Sequence, residues 1–124
     1  MKPAIIVCET CRYAREQQDL NGRRGGKMLF EAICRLAEKL PERPQFELRT
    51  TRCLMACERH CNVHLRASGK ICYVVGDMPP NEAGATVILD YFVKYLHSET
   101  GSVRYKQWPE GIKGHFIARI PPFE

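Results

Sequence analysis

The chain lacks a long apolar run. No stretch of its 124 residues approaches the roughly 20 consecutive apolar positions of a membrane span, so membrane insertion is not an expected function. The opening Met1-Lys2-Pro3-Ala4-Ile5-Ile6-Val7 is too short an apolar segment for a signal peptide and leads straight into Cys8, which points to a cytoplasmic location. No Ser/His/Asp set and no pair of carboxylates stands at convincing spacing, so hydrolase chemistry has no support. The stretch Asn21-Gly22-Arg23-Arg24-Gly25-Gly26-Lys27 precedes a helical segment but is not a phosphate loop. That motif needs Gly where Asn21 stands and Ser or Thr where Met28 stands, so an ordinary Gly-rich helix start is expected. Acids are outnumbered, 14 against 19 Lys and Arg, for a net charge of +5. The basic residues are not interleaved with exposed aromatics, and no known nucleic-acid module is visible, so nucleic acid is not an expected partner. Internal repeats and low-complexity segments are absent as well.

What remains is a chain of ordinary globular composition, 44% hydrophobic and 27% charged, of a length that suits one domain. We take residues 1–124 as a single domain, with a core over 1–101 and a C-terminal extension over 102–124.

Cysteine is the exception to this plainness. Five of the seven cysteines fall in two groups: Cys8 and Cys11 around Glu9-Thr10, then Cys53, Cys57 and Cys61 at four-residue intervals. Thiolates are preferred ligands of zinc and of iron–sulfur iron, and such a site needs about four of them. In a reducing cytosol, clustered thiols point to metal or redox chemistry rather than disulfides, and an odd total excludes complete internal pairing. Cys34 and Cys72 stand alone among apolar neighbours and are expected to be small core residues. Positive charge gathers after the first cysteine pair, at Arg12, Arg15, Arg23, Arg24 and Lys27. Such a rim either solubilises the chain or steers an acidic protein partner or anion.

Periodicity gives the order of elements. Ala4 to Val7 reads as a buried strand, and Asn21-Gly22 as a turn. Leu29, Ile33, Leu36 and Leu40 predict a helix starting near Gly25 or Gly26 and stopped by Pro41. Gln45 to Thr51 and Asn62 to Ala67 alternate as strands; Ser68-Gly69 turns the chain into a strand over Ile71 to Val75. Asn81 caps a second helix with Ala85, Ile88, Leu89, Phe92 and Leu96 on its apolar stripe, ending before Gly101. The tail, with Tyr105 and Trp108 as a clasp, is expected to wrap in extended form. The result is an α/β fold: a small mixed sheet built as β-α-β, then a β-hairpin and a helix, with an extended C-terminal tail. A βαβ crossover makes the first two strands parallel and brings both cysteine groups to their C-terminal ends, the edge where open α/β sheets place their sites.

The segments Val7-Cys8-Glu9-Thr10-Cys11-Arg12, Arg52-Cys53-Leu54-Met55-Ala56-Cys57, Cys61-Asn62-Val63, Gly69-Lys70, Gly76-Asp77 and Ala118-Arg119-Ile120-Pro121-Pro122 resemble an uncharacterised family of small bacterial predicted metal-binding proteins. Its members are often encoded near cobalamin-synthesis and metal-chaperone genes. The Cys53-Leu54-Met55-Ala56-Cys57 loop before a hairpin is also similar to the thioredoxin-like [2Fe–2S] ferredoxins. Those proteins separate their first cysteine pair by about ten residues rather than two, and they lack a counterpart of Cys61. The resemblance implies a thioredoxin-like fold and a [2Fe–2S] cluster serving electron transfer, sensing or delivery, without assigning a reaction.

The ligands expected are Cys8, Cys11, Cys53 and Cys57, with Cys61 as a near-equal substitute for Cys11 or Cys57. A redox partner would be an acidic protein; whether the chain forms a homodimer is open. Two alternatives stand beside this reading. One is a zinc- or cobalt-binding accessory protein linked to cobalamin metabolism: Cys8-x-x-Cys11 has a zinc-knuckle spacing, His60 and His64 stand near Cys61, and helical spacers would put Cys53, Cys57 and Cys61 on one face. The other is a thioredoxin-like thiol oxidoreductase using Cys8 and Cys11, which works best with a helix N-terminus beside the pair.

Overall fold

A computed structural model describes residues 2–9, 19–20, 22–52 and 61–122. Its strands and helices, in order, are β1 (Ala4–Cys8), β2 (Asp19–Leu20), β3 (Arg23–Arg24), α1 (Gly25–Ala37), β4 (Glu47–Thr51), β5 (Val63–Arg66), β6 (Cys72–Val75), α2 (Glu82–His97) and β7 (Phe116–Ile120). Five strands form one mixed sheet in the order β4-β1-β5-β6-β7. β1 and β4 are parallel, in register from Ala4↔Glu47 to Cys8↔Thr51, and the remaining pairs are antiparallel. The α/β architecture read from periodicity is therefore present, with the β1-α1-β4 crossover supplying the parallel pair.

β1 is buried along its whole length, as a continuous apolar strand between two neighbours should be. Ile5 and Val7 face the two helices, joined by Val63, Leu65 and Val75 from the sheet and by Leu29, Ile33, Ile88, Leu89 and Phe92 from α1 and α2. Each such side chain, fully buried, is worth about 1.5–3 kcal/mol of transfer free energy. α1 stops at Ala37 rather than at Pro41: the chain tightens into turns, with the Leu40 amide donating to the Ala37 carbonyl. α2 begins where the sequence placed it. Asn81 accepts from the amides of Ala83 and Gly84 at 3.0 and 3.2 Å, satisfying two of the donors that a helix start leaves open.

Two stretches differ from expectation. β2 pairs with β3 as a minute antiparallel ladder, and Gly22 between them takes the φ of +79° that a tight turn demands; Asn21, the other residue of the expected turn, lies outside the described residues. The tail does more than wrap: after 3-10 turns at Tyr105–Gln107 and Glu110–Ile112 it returns as β7 and pairs with β6. The hairpin leaves the outer edge of β6 without a neighbour, and Phe116 to Ile120 supplies it. Trp108 clasps this return as expected, donating from Nε1 to the Val103 carbonyl at 2.8 Å while its ring meets Phe116 at 4.8 Å.

Alternation along the strands separates two faces of the sheet. Both helices pack on the Ile5/Val7 face. Ala4, Ile6 and Cys8 point to the other, with His64 and Arg66 of β5, and no described helix covers it. No described helix is long and apolar enough to cross a membrane.

Candidate metal centre

β1 ends on Cys8, β4 ends one residue before Arg52, and β5 begins two residues after Cys61. All three chain ends meet at the same edge of the sheet. The Cys8 amide donates to the Asn62 carbonyl at 3.0 Å, and the Glu9 amide to the Thr51 carbonyl at 2.9 Å. The Cys8 thiol itself donates to the Arg52 carbonyl at 3.5 Å. The chain leading into Cys53 thus starts from a contact with Cys8, and the chain leaving the second cysteine group arrives beside it.

Cys8 and Cys61 are both sealed from solvent, at 3% and 0% exposure. Neither is in a disulfide; Cys34 and Cys72 are thiols too. The Cys61 thiol is pushed up to about 12, first by burial, then by the nearby Cys8 and by Asp77. Without a cation, these thiolates repel one another and lack water to offset it. With a soft cation among them the balance inverts, because a coordinating thiol is deprotonated outright. The donors present fit a thiophilic metal or an iron–sulfur cluster.

Of the expected ligands, Cys8 and Cys61 are brought to the same sheet edge. Cys11, Cys53 and Cys57 lie outside the described residues, as does His60. Among the described residues, no group of three or more Cys, His, Asp and Glu gathers at metal-binding distance. Cys61 has φ of +50°, left-handed backbone, so Cys61 itself is not within a right-handed helix; the expected helical spacers from Cys53 to Cys61 lie outside the described residues. Cys34 and Cys72, expected as core residues, are half-buried instead, on α1 and β6.

His64 sits on β5 across from Ile6, two residue pairs inward from Cys8. Its Nε2 is buried and finds no hydrogen-bond partner among the described residues. Burial, followed by the neighbouring Arg66, lowers its pKa below the usual 6.5, keeping the ring neutral at pH 7. A neutral imidazole with an open nitrogen is the form that ligates metal.

Sequence reasoning did not anticipate how closely α1 approaches the site. Gly25 and Gly26 are buried, and Gly26 packs directly against the Cys8 carbonyl. The glycine pair at the helix start was the available signal, since a helix end without side chains admits another backbone. A polar segment of the chain separates Cys8 from this helix, yet the first turn of α1 returns to it. The aspartate at the opposite rim, Asp77, has φ of +58° and closes the β6–α2 connection beside Cys61.

Comparison with known proteins places this geometry. A thioredoxin-like [2Fe–2S] ferredoxin from Aquifex aeolicus superposes with a TM-score of 0.63, covering 98% of this chain and 94% of that one at 17% identity. The likeness shows the fold, which is thioredoxin-like. No curated protein matches the sequence. A family model matches residues 5–122, and on that span the chain belongs to the family described as protein of unknown function DUF1636.

Proposed function

We propose that this protein holds a thiolate-ligated metal centre at the C-terminal edge of β1 and β4, and that the centre is a [2Fe–2S] cluster. The observation that carries the reading is the burial of Cys8 and Cys61 near one another, at the edge where the chain enters and leaves the second cysteine group. Cys8, Cys11, Cys53 and Cys57 are the ligands favoured, with Cys61 able to replace Cys11 or Cys57. Bound there, a [2Fe–2S] cluster supplies one-electron transfer. The chain's own contribution is exclusion of water, through the buried strand end and the first turn of α1, and orientation of the thiols through the Asn62 and Arg52 carbonyls. The likeness to a ferredoxin fold supports this assignment.

The buried Nε2 of His64, without a hydrogen-bond partner among the described residues, favours one second reading, a zinc- or cobalt-handling accessory protein in which His64 joins the cysteines. Elemental analysis and a visible spectrum of untagged protein purified without oxygen separate the two. The cluster predicts about two iron atoms per chain and visible absorption that bleaches on reduction. Cys8→Ser abolishes both, whereas Cys34→Ser and Cys72→Ser leave both intact. Stoichiometric zinc with less than about one iron atom per chain, in a colourless protein, overturns the cluster.

A further inference from the structure

The sheet face that carries no described helix has a one-sided charge. On β1, β4 and β5 the single acid is Glu47, and it is already paired with Arg49 at 3.6 Å. Arg49 and Arg66 stand on the strands either side of β1, opposite Ile6 and Ala4. With Ile6, Thr50, Thr51 and His64 they line an open depression of about 360 Å³. Arg66 also borders a neighbouring depression with Lys2.

Arg66 is half-buried and has no carboxylate at ion-pair distance among the described residues. Lys2 directs its ammonium to the Pro44 carbonyl at 3.1 Å, not to an acid. The Arg49–Glu47 pair is about half exposed on both sides and holds by less than about 1 kcal/mol, so an incoming carboxylate competes with it readily. With no carboxylate against it among the described residues, the Arg66 charge at this depression is open to an incoming acid.

The remainder of the face is apolar. Cross-strand pairing puts Val74, Ala118 and Ile120 on this side, and Ile120 is 43% exposed. An apolar patch bordered by cations is the anatomy of a protein interface. The two arginines are anchored about 10 Å apart across β1, a span suited to several carboxylates rather than one small anion. No aromatic side chain occurs on β1, β4 or β5 to stack a nucleobase, and a second copy presents the same charge and is repelled.

We propose that this face is the docking surface for an acidic segment of a partner protein, whose carboxylates pair with Arg66, Arg49 and Lys2. The surface begins at Thr51, the residue paired with Cys8 on β4. It deepens the metal-centre reading, and rests on it, only in making that partner a redox partner.

A fluorescent ten-residue glutamate peptide serves as the probe, with a ten-residue glutamine peptide as control, titrated at low salt into the metal-loaded full chain. The glutamate peptide is expected to bind. Its affinity falls by about tenfold in R49Q/R66Q, stays unchanged in K27Q and K106Q, and rises at least about twofold in E47Q, which releases Arg49. E47Q reads a gain and so does not depend on a variant that fails to fold. Wild-type binding by R49Q/R66Q, or an equal loss in K27Q or K106Q, overturns the proposal. So does competition by inorganic phosphate or a ten-residue thymidine strand as strong as by the peptide, or self-association that R49Q/R66Q abolishes. Metal content measured on the same samples keeps the two readings apart. Lost binding with iron in place overturns the docking surface alone; absent iron with binding retained overturns the cluster alone.

Discussion

Gly26 lies so close to Cys8 that a β-carbon added to it would overlap the Cys8 carbonyl oxygen. The neighbour is backbone, so no flexible side chain can move aside. The contact fixes the first turn of α1 against the end of β1 and makes a helix terminus one wall of the site.

Gly26→Ala is therefore expected to destabilise the chain by about 1–3 kcal/mol, the usual cost of overpacking a tight contact. It is also expected to lower metal content, because the overlap displaces Cys8 itself. Gly69→Ala is a useful contrast: its φ of +75° is strained for alanine, but nothing lies within 4 Å of the added carbon. Urea unfolding together with metal analysis checks both; loss of stability in both variants with loss of metal only in Gly26→Ala is the expected pattern.

The metal-free, reduced protein should weaken at high pH. Cys61 ionises near 9.0 in an unfolded chain but near 12 when folded. Below pH 9 both states keep the proton and its full contribution is present. As pH rises toward 12 the unfolded state loses the proton while the folded state retains it, so stability falls across that window. Tyr91 and Tyr95, both raised chiefly by burial, act with the same sign. Urea midpoints measured from pH 8 to 11 should decline, and decline less in Cys61→Ala. A flat profile in the wild type would contradict the burial of this thiol.

Tyr91 carries a buried hydroxyl that makes no hydrogen bond of good geometry among the described residues, although the Tyr73 phenol is close by. Removing an unsatisfied buried group while keeping the ring retains the packing against Tyr73, Trp108 and Phe116. Tyr91→Phe is accordingly expected to be neutral or stabilising at pH 7 in thermal unfolding. A loss above about 1 kcal/mol would mean that the hydroxyl has a partner, such as a buried water.

Asn81→Ala should cost about 0.5–2 kcal/mol, because it leaves the Ala83 and Gly84 amides without their acceptor. Asn81→Asp should recover most of that loss. Metal content should not change in either variant, since the Asn81 side chain bonds only to amides of the first turn of α2. Chemical denaturation of the pair tests this directly.

Much of the fold was legible locally. The continuous apolar run Ala4 to Val7 announced a strand buried on both faces, the alternation after Asn62 a half-buried one, and Asn81 the start of α2. β7 was less visible, because Phe116 to Ile120 lies between glycines and prolines that favour irregular chain, and only the free edge of β6 gives it a partner.

The sequence by itself determined the chemistry on offer: two cysteine groups, placed just beyond two strands that a βαβ crossover makes parallel. Tertiary structure decided the rest. It brought Cys61 into the core beside Cys8 on left-handed backbone, set the first turn of α1 against the Cys8 carbonyl, and left Arg49 and Arg66 together on the face that no described helix covers. The reason is that periodicity and turn chemistry act over a few residues, whereas these contacts join residues far apart in the chain. Which distant groups meet depends on strand register and on where a side chain is small enough for two backbones to touch.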